Sequence, residues 1–190
     1  MLESLNQFIV RCSFSVWKFV MLVAGFAGTL RVMQLIGERF KEYSGGSLPF
    51  DLQNSLNSEQ VYAQLANYTD YANTLYYIFS AIDFFFPLLA GLMLATICAF
   101  VLRHSAPQFY ESALQRNLFP ILLIPTLFDW LENLTLLATI ITWPESPDSA
   151  ITAAVLAKQV KLGTTALATG ATVLVILYGM LNGIKKLFTR

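Results

Sequence analysis

Asp129, Glu132 and Asn133 stand in the stretch TLFDWLENLTLL, residues 126–137, with hydrocarbon at most of the other positions. Residues three and four apart on a helix share one face, so the three polar groups form a single stripe. Paired carboxylates in apolar surroundings can hold a cation or carry a proton. They can also serve as general acid and base where the environment sets them apart. Asp83, which heads the run DFFFP, and Arg31, inside the first apolar segment, are ionisable groups in the same kind of setting. A charged group inside a bilayer costs about 3 kcal/mol on insertion scales, so such groups turn inward and toward one another. The expectation is that Arg31, Asp83, Asp129, Glu132 and Asn133 converge on one polar cavity. Its occupant would be a cation, a proton, or a cationic or lipid headgroup.

Two prolines point to the same region. Pro87 cannot donate to the carbonyl of Asp83, and Pro125 leaves that of Ile121 without its usual donor. A freed carbonyl beside a carboxylate is one way to make an oxygen-lined cation site within a membrane. The bland alternative is an ion-pair core, in which Arg31 and one of Lys158 and Lys161 neutralise two carboxylates and the third is protonated. Both readings stay open at this level.

The elements that must position these groups follow from composition. The 190-residue chain is 56% hydrophobic and 13% charged, with a mean hydropathy of +0.58, which is too apolar for a domain that covers itself with charge. Apolar segments at 14–36, 78–102, 118–142 and 162–184 give four spans. The run 84–102 has no charged residue and covers roughly 28 Å as a helix. The fold expected is all-α: a single polytopic membrane domain over residues 1–190, built as a four-transmembrane-helix bundle.

Arg11, Lys18, Arg103, Arg116, Lys185, Lys186 and Arg190 flank the spans on one side; Arg39, Lys41, Lys158 and Lys161 flank them on the other. The larger basic set marks the cytoplasm, so both termini are expected there. Lys18 before FVMLVAGFAGTL has the look of a signal peptide, but Arg31 follows without a small-residue cleavage site, and an uncleaved first span is expected. Residues 37–73 then form an external segment. Its glycines and proline in EYSGGSLPFD mark a turn, and Asn57 and Gln60 are spaced as N-cap and N3 of a short amphipathic helix. Val61, Leu65, Tyr68, Ala72 and Leu75 follow at helical spacing, so the helix lies over the outer mouth or runs on into span two. Tyr71, Tyr76 and Tyr77 suit an interfacial aromatic belt.

Several functions are excluded or left unsupported. Zero net charge removes nucleic acid as a partner. Cys12 and Cys98 form no CxxC pair and read as apolar fillers. His104 is the only histidine, so a multi-imidazole zinc site is excluded, and it is expected to mark a helix end at the membrane surface. With no Ser-His pair, hydrolase and redox templates have nothing to stand on. No cofactor and no metal is assigned, and an enzyme is the less favoured reading. Gly163, Ala166, Gly170 and Ala171 in span four point to close helix packing, with Thr164, Thr165, Thr169 or Thr172 as alternative cavity-lining groups. NYT at Asn67 fits a glycosylation sequon and carries little weight.

On LPFD (residues 48–51), DFFFP and FDWLENL, the chain resembles a family of small bacterial four-span inner-membrane proteins. That resemblance implies a bacterial inner membrane, multi-pass, and brings no chemistry with it. The architecture is also similar to the emopamil-binding (EXPERA) family, four spans with carboxylates in an intramembrane cavity. The histidine and aromatic-rich signature of that family are missing here, so sterol isomerisation is not carried over. The functional expectations are therefore a cavity that binds a cation, proton or lipid-like ligand, a non-catalytic subunit or assembly factor with a membrane-protein partner, or a lipid-modifying enzyme using paired carboxylates. Membrane lipids are partners in every case.

Overall fold

The computed structural model describes residues 1–53, 56–145 and 148–188, with backbone alone at 186–188. The Lys186 side chain, Arg190 and residues 146–147 of the loop before span four lie outside the described residues. All regular structure among the described residues is helical: α1 (Leu2–Ser13), α2 (Val16–Tyr43), α3 (Ser58–Leu65), α4 (Asp70–Asp83), α5 (Phe86–Ser105), α6 (Pro107–Gln115), α7 (Ile124–Thr142) and α8 (Asp148–Phe188), with 3-10 turns at Phe50–Leu52 and Phe119–Leu123. Four stretches, Val16–Tyr43, Asp70–Ser105, Phe119–Thr142 and Asp148–Lys185, are long and apolar enough to cross a membrane.

The described residues form two compact units, to each of which every one of the four apolar stretches contributes. The first comprises Met1–Gly25, Leu88–Pro125 and the described part of Gly163–Arg190. Its core gathers Ile9, Cys12, Leu92, Ala95, Ala99 and Phe119. The apolar-segment reading did not foresee α1 and α6 here. α1 turns Asn6, Ile9, Cys12 and Ser13 inward, and Asn6 donates to the carbonyl of Leu114 at 3.2 Å. α6 opens on Pro107, whose missing N–H costs nothing in a first turn. Burial pushes the Cys12 thiol up, which suits an inert filler. His104 lies exposed in the last turn of α5, as expected, with Nδ1 2.8 Å from the carbonyl of Phe100.

The second unit comprises Phe26–Pro87 and Thr126–Leu162. Phe40, Phe50, Val61, Tyr76, Leu136 and Ile151 make its core. Helices here outrun the apolar segments: α2 continues to Tyr43 and α8 begins at Asp148. Periodic burial sustains them, through Met33, Gly37 and Phe40 in α2 and Ile151, Ala154, Ala157 and Lys158 in α8. α2 ends where Gly45 and Gly46 take positive φ of 69° and 89°, and the Gly46 N–H closes on the Lys41 carbonyl at 3.0 Å. The foreseen cap of α3 is present in both directions: Gln60 N–H to Asn57 Oδ1 at 2.8 Å and Asn57 N–H to Gln60 Oε1 at 3.2 Å. The run from Val61 to Leu75 is not one helix, however. It breaks between Leu65 and Asp70, where Thr69 caps α4 by accepting from the Ala72 N–H.

Candidate functional site

All the groups of the candidate site belong to the second unit. Span two is interrupted as its proline requires: α4 ends on Asp83, Phe84 and Phe85 form a turn, and Pro87 is the second residue of α5. Carbonyls at the break are taken up by α7. Trp130 Nε1 donates to the Phe84 carbonyl at 2.8 Å, and Thr126 Oγ1 to that of Pro87 at 2.9 Å. These bonds hold the end of α4, and with it Asp83, against α7.

On α7 the polar stripe is inward. Thr126, Asp129, Glu132, Asn133, Leu136 and Thr139 are buried, while Leu127, Leu131 and Leu134 are exposed. Leu136 belongs to the buried stripe because it follows Glu132 by four residues. Asn133 Nδ2 donates to Asp83 Oδ2 at 2.8 Å and to Asp129 Oδ1 at 3.2 Å. The sequence-derived set thus comes together for Asp83, Asp129, Glu132 and Asn133.

Arg31 does not join them. It is exposed on α2, whose inward residues include Met33 and Phe40. At 3.6 residues per turn Arg31 stands about 200° around the helix from Met33, and so faces away from the core. Its expected place is filled by two lysines of α8. Lys158 Nζ, 6% exposed as a residue, donates to Glu132 Oε1 at 2.9 Å and to the carbonyls of Phe50 and Asp51 at 3.1 and 2.8 Å. Lys161 Nζ lies 2.7 Å from Asp51 Oδ1, 2.9 Å from Asp129 Oδ2 and 2.8 Å from Glu132 Oε2. The two lysines had been foreseen as flanking partners; their spacing of three on one helix face is what lets both reach α7.

Asp51 is the residue that the sequence reading did not place in the site. It stands in a single 3-10 turn after Pro49, without periodicity to reveal its direction. Its neighbour Phe50 is fully buried, packed near Tyr68 and Tyr76 with ring centroids at 5.6 and 5.7 Å. That anchoring turns Asp51 toward Lys161. The LPFD motif was the available signal.

The result is four carboxylates, from Asp51, Asp83, Asp129 and Glu132, set against two ammonium groups. Asp51, Asp129 and Glu132 all share Lys161, whereas Asp83, 1% exposed, is held by Asn133 alone and forms no ion pair among the described residues. One oxygen from each of Asp51, Asp83 and Asp129 lies within 4.8 Å of the others. Oxygen ligands of a calcium-sized ion stand about 2.3–2.6 Å from it, so opposite ligands can be about twice that far apart and the triad needs no large movement to bind one. A cavity of about 260 Å³ lies beside Glu132 and Lys158, walled by Val61, Leu136, Ile151 and Leu162. No protein-family model, curated protein or solved structure matches this chain.

Proposed function

We propose that the protein is an integral membrane protein whose buried carboxylate cluster binds a hard cation in exchange with protons, with Asp51, Asp83 and Asp129 as the direct ligands. The observation that carries the reading is the meeting of three aspartates from three separate elements within 4.8 Å, with one of them outside the ion pairs. Buried carboxylates that outnumber the cations beside them repel one another, and a leucine-rich helix packing would have been cheaper. A bound cation, or protons in its absence, removes that repulsion. Lys161 then acts as the intrinsic competitor, since its ammonium already occupies oxygens of Asp51 and Asp129. With both termini in the cytoplasm of a bacterial inner membrane, the α2–α4 connector that bears Asp51 would face outward, and cation entry would be from that side.

The test is thermal unfolding of the full chain in lipid nanodiscs against calcium, magnesium, manganese and sodium chlorides. A ligand that binds only the folded state raises the unfolding temperature with concentration. Asp83→Asn and Asp129→Asn should each abolish the increment for the preferred ion. An increment equal in wild type and both variants would remove the aspartates from any such site.

A second reading, a subunit of a membrane complex, is favoured by one observation on α8. Gly163 and Gly170 have nothing within 4 Å of where a Cβ would stand, which leaves the close approach that small residues permit available to another helix. A stoichiometric partner recovered with the protein from its native membrane would support it; a lone chain with a cation-dependent stability would favour the first.

A further inference from the structure

The first unit contains a pocket that the carboxylate chemistry does not use. It has a volume of about 360 Å³ and lies where α1 gives way to α2, against α5, with Phe14, Phe19, Thr96, Ile97, Phe100 and Arg103 in its walls. Arg103 closes it at one place. Its guanidinium lies 3.7 Å from the centroid of the Phe14 ring, and Nη2 donates to the Ser13 carbonyl at 3.0 Å. Nη1 is buried and has no hydrogen-bond partner. No carboxylate pairs with Arg103 among the described residues. A guanidinium is always charged and its donors are costly to leave unmade, so a fixed, buried, free N–H points to an anion that completes it. Thr96 is the second such group: it is 1% exposed, and its Oγ1 also has no partner.

Thr96, Phe100 and Arg103 follow one another at intervals of four and three on α5, so they share a face, with Thr96 about 10 Å from Arg103 along the axis. Between the two orphan polar groups the walls are aromatic and aliphatic. A matching ligand carries an anionic group at one end, hydrocarbon along its body, and a hydrogen-bond acceptor between. Free phosphate offers nothing to the apolar walls. A fatty acid spends its only acceptors on the guanidinium and leaves Thr96 unsatisfied. A glycerophospholipid has all three features in order: phosphate, ester carbonyls, acyl chain. We propose that this pocket is a binding site for an anionic glycerophospholipid, with its phosphate on Arg103 Nη1 and its ester region directed toward Thr96.

The experiment is native mass spectrometry of the full-length protein in mild detergent, titrated with phosphatidylglycerol, with inorganic phosphate and oleate as competitors. Two variants accompany it: Arg103→Gln removes the charge, and Ile97→Trp fills the pocket with the charge intact. Wild type should retain a single phosphatidylglycerol, and each variant should weaken retention by about tenfold or more, as the loss of a charged hydrogen bond or of the cavity requires. Neither competitor should displace the lipid at equal concentration. Retention unchanged in Ile97→Trp would overturn the site even if Arg103→Gln fails to fold. Displacement by inorganic phosphate would reduce it to an anion site, and displacement by oleate would overturn the role given to Thr96.

Discussion

Asn133 donates from Nδ2 to Asp83 Oδ2 at 2.8 Å and so ties α7 to the last residue of α4. The same nitrogen reaches Asp129 Oδ1 at 3.2 Å, which makes one amide the shared donor of two buried carboxylates. Asn133→Leu keeps the volume roughly and removes the donor. Hydrogen bonds to charged groups contribute about 1.5–3 kcal/mol, and the orphaned acceptors add to the cost, so the variant should lose at least that much stability. Denaturant unfolding in mixed micelles measures it. An unchanged midpoint would mean that water serves both carboxylates equally well and that the amide is not structural.

Lys161 is the hub of the cluster, and its removal separates the cation reading from a purely structural one. Lys161→Met leaves Asp51, Asp129 and Glu132 without the ammonium they share. Breaking a buried ion pair by deleting one partner costs about 3–5 kcal/mol. If the aspartates are cation ligands, the variant should bind the ion more tightly than wild type, because the internal competitor is gone. Added divalent cation should then restore much of the lost stability, and restore more at pH 8 than at pH 5.5, because protons and cation compete for the same oxygens. A variant that is destabilised and indifferent to every cation would leave a structural lock between the connector, α7 and α8.

The parts of this site that were legible in the sequence are those decided locally. Asn57 and Gln60 cap α3 because the capping box is a four-residue matter. Asp129, Glu132 and Asn133 share a face because the helical period alone decides it. Arg31 went astray because the inward side of α2 is chosen by what packs on Met33 and Phe40, whereas Arg31 shares an exposed face with Gln34 and Glu38, at spacings of three and seven. Asp51 was illegible for a different reason: a 3-10 turn has no periodicity, and its aim follows from the burial of Phe50 in a core assembled from distant residues. Lys158 and Lys161 looked like flanking charges because the apolar run starts after them, whereas α8 begins well before, at Asp148.

Tyr62 ties α3 to the start of α8 by a hydrogen bond from its hydroxyl to Asp148 Oδ1 at 2.6 Å, with its ring stacked on Trp143 at a centroid distance of 5.6 Å. The hydrogen bond to Asp148 raises the phenol above its ordinary value of 10, with desolvation and the carboxylate charge adding to it. A raised folded value means that the stabilisation is present at lower pH and is lost as pH rises through that folded value. Tyr62→Phe should therefore lower the unfolding temperature at pH 8, and the gap to wild type should close as pH rises through the folded value of the phenol. Absorbance titration of tyrosinate should show one component that lies above the ordinary value in wild type missing from the variant. A gap that persists at high pH would assign the effect to ring packing instead.

Glycines in α8 divide by what surrounds them, and the division fixes the sign of two substitutions. The small residues expected to pack closely, Gly163 and Gly170, have open space around them. The close approach is at Gly179, where an added Cβ would lie 2.5 Å from Val101 Cγ1. Nearby, Asn182 donates to the Ser105 carbonyl at 3.2 Å, which limits how far the helices can part. Replacing glycine by alanine inside a helix gains about 1 kcal/mol from backbone entropy. At Gly170 nothing opposes that gain, so Gly170→Ala should be neutral to stabilising. At Gly179 the methyl meets a β-branched side chain with little freedom to turn, and overpacking costs about 1–3 kcal/mol, so the clash outweighs the entropy and Gly179→Ala should destabilise. Val101→Ala in the Gly179→Ala background should recover part of the loss, and a purely additive double variant would show that the two positions do not touch.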